Sequence, residues 1–204
     1  FFKEDTEKLA QDWETELQGV KKADLFYEYA DGFFNGTRDL LDVFLQKEFR
    51  SDSDALPILL LFCQFAELAL KASTEYFVYL RHELGKAVVK RNLNNHDLSE
   101  LLSNLKALFD PQEPFLSEET QEFIVKIQNI NEAAQAFRYP FSNENRKKAE
   151  KVFLVKAPLI PMGIFKAEFD IHASELHNFV LWLSHGYLYV SQQDALSLQE
   201  KRRD

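Results

Sequence analysis

Only one cysteine, six glycines and six prolines occur in the 204 residues. Each scarcity excludes something. A lone thiol, Cys63, closes no internal disulfide and supplies no thiolate pair for zinc. It sits inside PILLLFCQFAELAL, where apolar neighbours raise a thiol pKa and rule out an activated nucleophile. A reducing, cytoplasmic setting is expected. Sheet-rich proteins need many tight turns, so a chain poor in glycine and proline is expected to be helical. There is no glycine-rich phosphate loop, no GxSxG elbow and no HExxH pair. His172 and His177 are five apart, and His177 and His185 eight apart, so none forms the i, i+4 pair of a helical zinc site. No metal and no cofactor are expected. Gln64 and Glu67 interrupt the apolar run 56–70, which is short for a membrane span and reads as a core helix. The opening FFKEDTEKLAQDWE turns acidic after two residues, unlike a secretory leader.

What the chain has in plenty is aromatic bulk and negative charge. Nineteen phenylalanines imply a core filled by rings. The formal net charge of −9 repels nucleic acid at long range, so RNA contact must use a local basic strip. Lys86, Lys90 and Arg91 make one such strip, and Arg146, Lys147, Lys148 and Lys151 another.

The apolar spacing predicts a succession of helices. Leu9, Trp13 and Leu17 share one face of a segment over 3–20. Phe26, Ala30, Phe33, Phe34, Thr37, Leu40, Leu41, Phe44 and Leu45 run at spacings of three and four through 23–49, with Gly32 and Gly36 marking a close helix–helix approach. SDSD at 51–54 is a turn, Pro57 suits a first helical turn, and the next helix runs over 56–84 with Gly85 to end it. Asn94 or Asn95 caps a helix beginning near His96, with Asp97 and Glu100 at its positive end and Leu98, Leu101, Leu102 and Leu105 as its apolar face. Ser117 caps another that ends near Phe137, with Ile124, Ile127, Ile130 and Ala134 on its core side. The stretch KVFLVKAPLIPMGIFKAEFDIH alternates apolar and polar residues and reads as one or two short strands or an extended arm, followed by a last helix over 174–185. The fold class is therefore all-α, a four- to five-helix bundle over 1–140, with a short irregular or β-containing appendage over 141–204 packed on it as part of one domain.

Two constellations carry chemistry. Glu67 and Lys71 stand i, i+4 inside the most apolar run, where a carboxylate needs a partner; Lys71, or a group from the helix after His96, supplies it. Arg91 and His96 are the second pair. An imidazole moves a proton near neutral pH, and a guanidinium forks onto phosphate oxygens. On one continuous helix residues five apart point about 140° from each other. The pair therefore converges only across a loop at 92–95, or where two subunits share one cleft.

FAELALK, then RNLNNHDLSELL, then AFRYP after the next helix, resembles the HEPN superfamily over 56–140. Its members are small helical domains, often dimeric, and many are metal-independent ribonucleases with an arginine, a polar residue beside it, and a histidine after four to six intervening residues. That resemblance implies catalytic roles for Arg91, Asn92 and His96, with Glu67, Lys71, Asn95 and Asp97 in support and Lys86 and Lys90 on phosphate. It implies a homodimer acting on RNA in a bacterial defence or toxin–antitoxin setting. The other reading is a non-catalytic HEPN-like module that binds a nucleotide or a protein partner. In the members held by nucleotidyltransferase antitoxins a tyrosine stands two residues after the histidine; here that place is Leu98.

Overall fold

The computed structural model describes residues 2–49, 51–85, 93–138 and 161–186. The described residues are helical with no strand among them. α1 (Phe2–Gln46) is a single helix of 45 residues. It fuses the two segments that the periodicity separates, because no proline precedes Pro57 and Gly19 alone costs a helix only about 1 kcal/mol. The side chains of Leu9, Trp13 and Leu17 lie outside the described residues.

α2 (Asp52–Glu83) starts four residues earlier than the spacing suggests and carries Pro57 within it. It ends as expected, with Gly85 at φ 69° just past its last turn and the Gly85 N–H donating to the His82 carbonyl at 2.9 Å. α1 and α2 form an antiparallel hairpin: Tyr76 Oη donates to Asp24 at one end, and Lys47 pairs with Asp54 at the other. Between them, a Cβ on Gly36 would meet Leu61 at 3.6 Å, ordinary contact. A Cβ on Gly32 would meet nothing within 4 Å, so no close approach within the described residues requires that glycine.

α2 is the central helix. Ile58, Phe62, Phe65, Ala66, Ala69 and Leu70 are all buried. Asp54–Glu83 has the length and composition of a membrane span, but 61% of its most apolar window is buried inside the bundle, and packing there accounts for the apolar run. Phe62 shows how the rings fill the core, with Phe123 at 5.4 Å, Phe165 at 5.6 Å and Phe169 at 5.9 Å between centroids.

α3 (Leu98–Lys106) lays Leu98, Leu101, Leu102 and Leu105 on that core, as the spacing predicts. α4 (Glu118–Arg138) starts after Ser117, whose hydroxyl accepts from the Thr120 N–H at 3.3 Å. Ile124 and Ile127 are buried, and the side chains of Ile130 and Ala134 lie outside the described residues.

The expected strand does not extend into 161–173. α5 (Met162–Glu168) follows Pro161 and passes through a π-helical turn (Phe169–Ala173) into α6, residues 174–186. The apparent alternation hides a helical set: Met162, Phe165, Phe169, Ala173 and Leu176 are buried, whereas Ile164 and Ile171 are exposed. Residues 152–160 lie outside the description.

Candidate functional site

The middle of α2 gathers its polar residues on one side, next to the start of α3. Leu60, Gln64, Glu67 and Lys71 fall within about 60° of one another at 100° per residue. Glu67 and Lys71 pair as the spacing predicts, Nζ to Oε1 at 2.8 Å, with only 11% and 7% of their side chains exposed. A third group joins them. His96 Nδ1 lies 2.9 Å from the same Glu67 Oε1. The imidazole is 77% exposed, so a buried ion pair presents a solvent-facing ring.

The loop that delivers His96 is fixed by its own backbone bonds. Asn95 Oδ1 accepts from the N–H groups of His96 at 2.8 Å and Asp97 at 3.1 Å. Asp97, not Asn94 or Asn95, caps α3, its carboxylate accepting from the Glu100 N–H at 2.9 Å. The Leu98 N–H donates to Gln128 Oε1 of α4 at 2.9 Å. Asn95 and Asp97 thus hold the backbone on either side of His96. Helix α3 begins at Leu98, two residues after the histidine.

An ionised carboxylate accepts and cannot donate, and Glu67 Oε1 already accepts from the Lys71 ammonium at 2.8 Å. The His96 Nδ1 therefore carries a hydrogen. Among the described residues Nε2 has no hydrogen-bond partner. A ring held in this way has the chemistry that general-base catalysis uses, with its orientation set by a carboxylate.

Lys86, Lys90, Arg91 and Asn92 lie outside the described residues. The structure brings together His96, Glu67 and Lys71 from the expected set. His172 and His177 pack against phenylalanine rings, His172 on Phe123 at 5.2 Å. His177 bonds Asp31 at 2.9 Å and stacks on Phe34 at 4.6 Å. Half-exposed Trp182 lies against Phe179 at 5.9 Å.

One cluster was not visible in the sequence. Glu175 of α6 accepts from the Ser117 N–H and hydroxyl, each at 2.6 Å, and from the Thr120 hydroxyl. His172 Nδ1 reaches that Thr120 oxygen at 2.9 Å. Burial pushes the Glu175 carboxyl up, but the Ser117 and Thr120 hydrogen bonds and the nearby His172 outweigh it and hold the pKa below its ordinary value. Thr120 is fully buried, so the cluster is a clasp between α4 and α6 and offers no exposed nucleophile. Its two halves, Ser117–Thr120 and His172–Glu175, are joined across 52 to 58 residues, and no short-range pattern announces the joining. Among the described residues no group of three His, Cys, Asp or Glu side chains is placed to hold a metal.

The α1–α2 hairpin exposes Tyr29, Leu40 and Val43 on α1 and Leu60 on α2. Comparison with protein-family models, curated proteins and solved structures finds no match.

Proposed function

We propose that this chain is a HEPN-like, metal-independent endoribonuclease of a bacterial defence or toxin–antitoxin type, acting as a homodimer. The observation that carries the reading is the exposed imidazole of His96 held through Nδ1 by the buried Glu67–Lys71 pair. In the proposed reaction His96 Nε2 takes the proton of a ribose 2′-OH. The 2′-oxygen bonds to phosphorus, the P–O5′ bond breaks, and a cyclic 2′,3′-phosphate remains. His96 of the second copy gives a proton to the departing 5′-oxygen. Each such transfer contributes about 10²–10⁴ in rate. Arg91 would stabilise the charge gathering on the phosphoryl oxygens, and Asn92 would orient the phosphate.

Homodimerisation would cover apolar side chains that the hairpin exposes, Tyr29, Leu40 and Val43 on α1 and Leu60 on α2.

A second reading is favoured by the completeness of the network. Glu67 already has two partners, and Asn95 and Asp97 account for the loop. The same arrangement would serve a non-catalytic module that binds a nucleotide or a protein. Incubation of purified protein with mixed RNA in excess chelator separates the two. Cleavage by the parent with cyclic phosphate ends, lost in His96→Ala, is the expected result. Equal inactivity of parent and variant removes the nuclease reading.

A further inference from the structure

We propose that the groove between α3 and α4 binds the single-stranded RNA flanking the scissile bond. This rests on the ribonuclease reading and adds a substrate subsite to it. Ser99, Ser103 and Lys106 form one wall; Gln121, Lys126 and Asn129 form the other. The open groove has a volume of about 620 Å³, within the size range of ligand sites.

Three observations point to a phosphodiester strand. The first is chemistry. Hydroxyls, amides and two ammonium groups line the groove against a single carboxylate, Glu122. Hydrogen-bond donors and cations suit phosphate oxygens. The second is charge balance. Lys106 donates to the neutral Gln121 Oε1 at 2.8 Å and has no carboxylate partner among the described residues. Lys126 is held by Glu168 at 2.7 Å, but its side chain is 55% exposed, so a phosphate can compete for it. The third is position. The groove begins at Ser99, three residues after His96, and Asn129 follows the glutamine that bonds Leu98. From Ser99 to Lys106 the α3 wall runs about 10 Å at 1.5 Å per residue. Val125, 40% exposed, adds apolar surface against which a base face can lie.

Binding is measured on the full chain carrying His96→Ala, so that RNA stays intact, by anisotropy of a short fluorescent single-stranded RNA over a range of salt. Lys106→Gln should weaken binding roughly fivefold at low salt and make the log–log salt slope shallower by about 0.7, the single-strand value for one lost phosphate contact. Ser103→Asp, which adds an anion to the groove, should lower affinity by at least as much. Lys21→Gln, an exposed cation on α1, should change neither affinity nor slope beyond a general charge effect. Circular dichroism confirms that each variant folds. Binding lost through the groove variants while the parent leaves RNA uncut upholds the groove and removes the nuclease. Cleavage by the parent with unaltered binding in Lys106→Gln and Ser103→Asp overturns the groove alone. An absence of RNA binding by His96→Ala overturns the groove too.

Discussion

Lys71 decides the state of its site. Its ammonium is 7% exposed and faces a carboxylate that is 11% exposed. Removing one member of a buried pair leaves an uncompensated charge, which costs roughly 3–5 kcal/mol. His96 compensates in part at 2.9 Å, so Lys71→Met should fall near the lower end. Replacing both, Glu67→Leu with Lys71→Met, should be much milder than the single change, because no buried charge remains. Urea denaturation of the three variants checks this. A single change within 1 kcal/mol of the parent would mean that Glu67 does not depend on its lysine. The pair was legible because i, i+4 neighbours on one helix must meet. The bond from His96 to Glu67 was not, since it spans 29 residues and closes through a loop. The sequence narrowed the partners of Glu67 to Lys71 or the region of His96; the structure uses both.

At the scale of the element, α3 depends on its cap. Nine residues are too few to hold a helix in water. Its four leucines anchor it to the core, and the Asp97 carboxylate satisfies one of its free N–H groups. Asp97→Ala should cost about 1 kcal/mol. The same change frays the turn after His96, so hydrogen exchange at Glu100 should accelerate more than at Leu105; equal protection would deny the cap its role. The leucine face was readable from spacing alone. The cap was not, because Asn94, Asn95 and Asp97 are all suitable cap residues within four positions. The α5 segment shows the opposite failure. Phe165, Ala167, Phe169 and Ile171 alternate as a strand would, yet Phe165 and Phe169 are buried and Ile171 is 63% exposed. The buried set steps by three and four from Met162 to Ala173, and only the surrounding rings of Phe34, Phe62 and Phe123 choose between the two periods.

At the scale of the molecule, the 162–186 segment is joined to the remainder by rings and by polar seams on its α4 and α1 sides, and one group beside each seam, Glu175 and Tyr27, links stability to pH. On the α4 side, the Glu175 pKa lies below its ordinary value of 4.5 despite burial, through the Ser117 and Thr120 hydrogen bonds. A depressed folded-state pKa gives stability that is present above the unfolded value and lost as pH falls through the folded one. The acid limb of the stability profile should therefore begin below pH 4.5, and Glu175→Gln should lower stability at neutral pH while flattening that limb. On the α1 side, burial first and the Asp31 carboxylate second raise the Tyr27 hydroxyl above its ordinary value of 10.0. The unfolded chain then ionises more readily, so stability falls as pH rises past 10.0, and Tyr27→Phe should remove that part of the alkaline loss. Thermal melts from acid to alkaline pH on the parent and both variants test the two groups separately. If Glu175→Gln keeps the parent's acid limb unchanged, the Ser117–Thr120–Glu175 clasp does not hold α6 against α4 in solution. If the limb flattens while the alkaline side is unaltered, the two groups act independently, as side chains on different helices with no shared partner should.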